Sequence, residues 1–188
     1  MPKIKEKNSI WIRSYQKAIF TSVNRETRQK EIEKNKEKAL NSDDILKLLK
    51  GAKNFLGVFA SDEISNLRIL AFPVFLIVNL DSKTLPGSHW IALRLDKNTV
   101  EIFDSLGFDR NMWGKFPDGL RDFFDRYKYS HRFRISPVLQ PASTSDCGFF
   151  CVFFVLYRPN NSFTNCVSVF SRVLTRNHFI LIKKLKAM

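Results

Sequence analysis

Asp146-Cys147-Gly148 stands where a small-polar loop, Pro141 to Asp146, meets an apolar run of eleven residues, Cys147 to Tyr157. A thiol at the start of a helix feels the helix dipole and unsatisfied backbone N–H groups, both of which favour thiolate. Gly148 permits close backbone approach, which a substrate carbonyl at an oxyanion site requires. Gln140, seven residues upstream, carries a neutral amide able to donate to the same oxyanion. The competing reading of Cys147 is a buried structural cysteine, the commonest fate of a lone Cys on an apolar helix. Cys151, one turn further in, and Cys166 are assigned to packing.

A second pair comes from a hairpin. His89–Leu95 and Thr99–Asp104 alternate apolar and polar residues around Lys97-Asn98. A two-residue turn there makes Leu95 face Val100, Leu93 face Ile102 and Ile91 face Asp104. Facing residues share a sheet face, as do residues two apart, so His89 and Asp104 fall on one face, a diagonal step apart. An acid bonded to one imidazole nitrogen fixes the tautomer and leaves the other nitrogen to take a proton. A structural His–Asp bond at a strand end accounts for the pair equally well. A zinc site using Cys147, Cys151 and two of His89, His131 and His178 is a further alternative, but it lacks paired metal-ligand spacing. One assignment uses most of these features: nucleophile Cys147, base His89, orienter Asp104 and oxyanion donor Gln140. It requires neither metal nor bound cofactor.

Those residues need elements to hold them. Phe72 to Leu80 is a buried-strand pattern, and Phe133–Val138 suits another strand. Asn41-Ser42-Asp43-Asp44 caps a short helix, Ile45 to Lys50, which Gly51 stops. Pro117 to Lys128 has a helical pattern, Cys147–Tyr157 suits a buried helix, and Ser162–Lys186 suits one or two basic amphipathic helices. Residues 25–40 have Glu and Lys neighbours at helical spacing, a solvated helix or arm. The fold class expected is mixed α+β, with residues 1–40 as a basic helical N-terminal arm and 41–188 as a single catalytic domain.

A chain of 188 residues with 44% hydrophobic and 26% charged content has a globular balance and room for a real core. No apolar run approaches the ~18 residues of a membrane span. No apolar stretch follows the N-terminal lysines, so no secretory signal is expected, and three cysteines cannot all pair. The expectation is a soluble intracellular protein with free thiols. The net charge is +13, and both ends are basic: residues 1–50 carry 13 basic and 7 acidic groups, and 158–188 carry 6 basic groups and no acid. Such a surface favours salt-sensitive, sequence-independent binding of nucleic acid, with mere cationic solubility as the alternative.

The sequence resembles a known family. G-S-H-W at Gly87–Trp90, the acid ending E-I-F-D-S-L-G-F, and Q-P-A-S-T-S-D-C-G-F-F at Gln140–Phe150 resemble adenain, the adenovirus-type cysteine protease. They are also similar to its wider clan, which includes the SUMO-specific proteases. The likeness runs from about Asn54 to Tyr157, in the order His, acid, Gln, Cys. It implies a compact peptidase with a central mixed sheet flanked by helices, the Cys at the start of a buried helix and Trp90 packed beside the His. It further implies cleavage of precursor proteins near small residues, protein or peptide substrates, and DNA as an activator. Asp104 stands where adenain has Glu. No Cys lies between the hairpin and Gln140, so an activating peptide has no disulfide partner in the expected region. The function expected is a thiol endopeptidase that matures virion-like structural proteins, in a host nucleus or virion if viral. The alternatives are an isopeptidase for SUMO or another ubiquitin-like modifier, and a catalytically silent basic nucleic-acid-binding protein.

Overall fold

The computed structural model describes residues 25–108, 114 and 116–188. Its centre is a five-stranded mixed sheet in the order β1-β2-β3-β4-β5. The strands are β1 (Phe55–Ala60), β2 (Val74–Asn79), β3 (Trp90–Asp96), β4 (Thr99–Phe103) and β5 (Arg132–Ile135). The inner three run antiparallel, and β1 and β5 join the two edges in parallel. The helices are α1 over 25–35, α2 (Ser42–Leu48), α3 (Asp118–Asp125), α4 (Cys147–Tyr157), α5 (Phe163–Ser168) and α6 (Asn177–Ala187). The fold is α+β.

The two sheet faces are buried by different helices. Ile91, Leu93, Leu95, Val100 and Ile102 share a core with Leu120, Phe123 and Phe124 of α3. Phe75, Ile77, Ala92 and Phe103 share the other core with α4 and with Ile45 of α2 and Leu181 of α6. Cover on both faces explains why β2 is an uninterrupted apolar run: all six of its residues are buried. It also explains why α4 is apolar all round, with Cys147 to Val155 buried. Phe154 of α4 stacks on Phe103 of β4 with ring centroids 4.6 Å apart, which fixes the helix over the sheet.

The hairpin register is as the alternation requires, with Asp96 opposite Thr99, Leu95 opposite Val100 and Leu93 opposite Ile102. The pairing ends at Ala92 and Phe103, however, so His89 and Asp104 lie beyond it, in non-strand backbone. The Leu93–Ile102 face carries α3, and the alternate residues Trp90 and Phe103 belong to the α4 core. β1 was not anticipated from the sequence pattern. Gly57 interrupts the run, with φ +154°, and the strand exists through its parallel pairing with β2.

Asn41 caps α2 in a capping box: its side chain accepts from the Asp44 N–H, and the Asp44 carboxylate accepts from the Asn41 N–H. Of the segment expected as an arm, residues 1–24 lie outside the described residues. The rest packs on the domain: Ile32 is fully buried in the α4 core, and the Arg28 guanidinium donates to the Leu48 carbonyl.

Candidate active site

Cys147 opens α4, His89 immediately precedes β3, and Asp104 immediately follows β4. Adjacent strand ends thus deliver the histidine and the acid together, and the helix packed behind them delivers the sulfur. The His89 Nε2 lies 2.7 Å from Asp104 Oδ1, in a pair that is nearly buried on both sides. This bond leaves Nδ1 for the Cys147 sulfur, which together with Asp104 favours the imidazolium. Asp104 is itself held: its Oδ1 accepts from the Leu106 N–H at 2.9 Å, and its backbone is clamped by the Ser136 hydroxyl, which accepts from the N–H and donates to the carbonyl.

The charge state of His89 follows from that setting. Burial opposes the imidazolium. The Asp104 carboxylate and the Cys147 sulfur outweigh it, and the His89 pKa is pushed up to about 9. Cys151 and Cys166 have no such partner. Burial drives the Cys151 thiol well up, and Cys166 is pushed up to about 12, again chiefly by burial. All three cysteines are free. The structure therefore distinguishes Cys147, the one beside a histidine, from the two packing thiols.

These side chains open on a cleft of about 490 Å³, lined also by Trp90, Gln140, Asn41, Phe59, Asp81 and Pro86. The four sequence-derived residues His89, Asp104, Gln140 and Cys147 are brought together: three line the cleft, and Asp104 sits behind His89. Gln140 is almost fully buried, its Oε1 accepting from Ser105 Oγ at 2.7 Å and its Nε2 donating to the Thr144 carbonyl at 3.0 Å. Trp90 lies next to His89, and its indole N–H donates to the Leu40 carbonyl at 2.9 Å. Gly148 also makes room within the chain: a Cβ there would sit 2.9 Å from Leu40 Cβ, so it permits close approach by the 39–41 segment, a wall of the cleft.

Four contacts around the site have no local sequence signal. Ser105 and Ser136 hold Gln140 and Asp104 across a gap of more than thirty residues. His178 of α6 places Nδ1 2.9 Å from Asp146 Oδ1, next to Cys147. Asn177 donates to the Leu139 carbonyl at 2.7 Å, beside Gln140. The zinc set weighed from the sequence is not assembled: His178 pairs with Asp146, and His131 contacts Ser130 and Tyr127. Among the described residues no group of three or more His, Cys, Asp or Glu side chains is placed to hold a metal ion. Among them, also, no helix is long and apolar enough to cross a membrane.

No family model matches the chain, and no curated protein matches it. Solved structures do match. The SUMO protease Ulp1 with its catalytic cysteine oxidised to a sulfinic acid is 18% identical, with a TM-score of 0.42, covering 80% of this chain and 78% of that one. AvrA delL154 with IP6 and CoA is 14% identical, with a TM-score of 0.41, covering 95% of this chain and 66% of that one.

Proposed function

We propose that the chain is a cysteine peptidase in which Cys147 is the nucleophile, His89 the general base and acid, Asp104 the group that orients His89, and Gln140 an oxyanion donor. The observation that carries this reading is the meeting of His89 with both Asp104 and Cys147 at an open cleft. The raised pKa of His89 suits it to take the Cys147 proton as the sulfur attacks. The sulfur attacks a carbonyl carbon, and the oxyanion that forms meets the Gln140 amide and the backbone N–H groups at the start of α4. His89 Nδ1–H then protonates the leaving amine, the C–N bond breaks, and an acyl-enzyme remains. A water deprotonated by His89 releases the acid and restores the thiol.

We place the substrates among precursor proteins, cleaved within the chain, and assign activation to DNA. Support comes from the likeness of Gly87–Trp90 and Gln140–Phe150 to adenain and from the basic termini. Asp at position 104, as in the SUMO-specific branch, supports the second reading, hydrolysis of a ubiquitin-like modifier from its target. A thiol-directed activity probe carrying a Gly-X-Gly-Gly peptide, set beside a SUMO-based probe with and without duplex DNA, separates the readings. Labelling of wild type but not Cys147→Ala by the peptide probe, faster with DNA, is expected. Labelling by the SUMO probe alone transfers the assignment to the isopeptidase. No labelling by either, with DNA still bound, leaves a silent nucleic-acid-binding protein.

A further inference from the structure

The two ends of a Gln side chain are alike in shape and opposite in polarity. An amide facing an oxyanion with its nitrogen stabilises negative charge; flipped, it presents a carbonyl oxygen and repels it. Gln140 is only 1% exposed, so solvent does not select the orientation. One protein group does, and a second holds the result. The Thr144 carbonyl can only accept, so the amide atom 3.0 Å from it must be Nε2. Oε1 then faces Ser105 Oγ at 2.7 Å, and the Ser105 hydroxyl must be the donor.

Ser105 is built to do this. It is 1% exposed, and its own carbonyl accepts from the backbone N–H groups of Leu139 and Gln140 at 2.7 and 2.9 Å. The serine is thus fixed against the main chain of the residue whose side chain it holds. The Thr144 carbonyl sits in a turn in which the Thr144 N–H and hydroxyl both donate to the Pro141 carbonyl. With one Nε2 proton on Thr144, the second is free for the cleft that Gln140 and Cys147 both line.

We infer that Ser105, by donating to Oε1, holds the Gln140 amide in the polarity that the Thr144 carbonyl selects, and so steadies the oxyanion site, from a position that touches no reacting atom. Asp104 and Ser105 then act as neighbouring positioning residues, one for the base and the other for the oxyanion donor. The inference rests on the peptidase reading above.

The test compares two reactions of the full chain. Hydrolysis of a Gly-X-Gly-Gly peptide amide passes through an oxyanion, whereas alkylation of Cys147 by iodoacetamide displaces iodide and forms none. Losing one oxyanion donor costs on the order of 10²–10³-fold in kcat, so Ser105→Ala, which frees Oε1 and lets the amide swing from its position, is expected to lower kcat about 10- to 100-fold. KM and the alkylation rate should stay within about twofold of wild type, since neither involves the oxyanion. Ser105→Thr keeps the hydroxyl and should recover most of kcat. Ser105→Ala/Gln140→Ala should be no slower than Gln140→Ala alone, because the pair acts as one unit. An unchanged kcat in Ser105→Ala, additive losses in the double variant, or a parallel fall in alkylation would overturn the assignment. A wild-type chain that alkylates but hydrolyses no probe overturns the peptidase reading and the role of Ser105 together. Active wild type with active Ser105→Ala overturns the role of Ser105 alone.

Discussion

His89 is the side chain whose charge decides what the site can do. Burial disfavours its imidazolium, and Asp104 and Cys147 reverse that preference, raising the pKa from 6.5 to about 9. The sign follows directly: a pKa raised on folding stabilises the fold fully below about pH 6.5, and this contribution is lost as pH rises through about 9. Peptidase activity that needs His89 as an acid should fall over the same upper window. Asp104→Asn keeps the shape and removes the charge, so the His89 titration, followed by NMR, should move to lower pH together with the alkaline limb of kcat/KM. A limb that stays in place would assign it to another group. The sulfurs give a second expectation. Cys151, with its thiol held protonated by burial, should resist iodoacetamide at neutral pH while Cys147 is modified, as peptide mass mapping would show. Cys151→Ala should accordingly retain most activity, and Cys147→Ala none.

α4 carries Cys147 at one end and is tied to β4 at the other. Arg158, just past its last residue, holds Glu101 of β4 through two bonds of 2.8 and 2.9 Å, and Glu101 is 1% exposed. Glu101→Ala leaves Arg158 without that partner, and breaking a buried pair from one side costs about 3–5 kcal/mol. The expected outcome is a fall of about 3 kcal/mol in stability by urea unfolding, the low end being right because Arg158 is partly exposed. A change below ~1 kcal/mol would make the pair incidental to the position of α4. The two ends of this arrangement differ in how legible they are from residues alone. The α4 boundaries and the hairpin register follow from local pattern, an apolar run behind a polar loop and an alternation about Lys97-Asn98, and the structure has both. His89 and Asp104 are brought together by the same hairpin, although the β3–β4 ladder ends before either of them. β1, Ser105, Ser136 and His178 act through partners distant in sequence, and a polar residue with a single distant partner leaves no period to read.

At the scale of the whole molecule, charge is sorted rather than spread. Many cations are spent within the chain: Lys36 and Lys186 on Glu33, Lys38 on Asp44, Lys83 on Glu63, and Arg121 on Asp118. The cleft is lined by Glu63 and Asp81 with Lys83, and Lys83 is paired with Glu63. Arg172, Arg176, Lys183 and Lys184 are exposed, and among the described residues none of the four has a carboxylate within ion-pair distance. If the basic C-terminal part binds duplex DNA, these four should supply phosphate contacts, and affinity should depend steeply on salt and hardly on sequence. Changing all four to Gln should lower the slope of log affinity against log salt by up to about 3–4, since each lost phosphate contact removes ~0.9. None of them lines the cleft or bonds to a residue that does, so hydrolysis without DNA should be unchanged while any stimulation by DNA is lost. Fluorescence anisotropy across a salt series, paired with peptide hydrolysis, reads both quantities on the same variant. An unaltered slope would make the C-terminal charge a solvated surface and leave the proposed activation by DNA without its physical support.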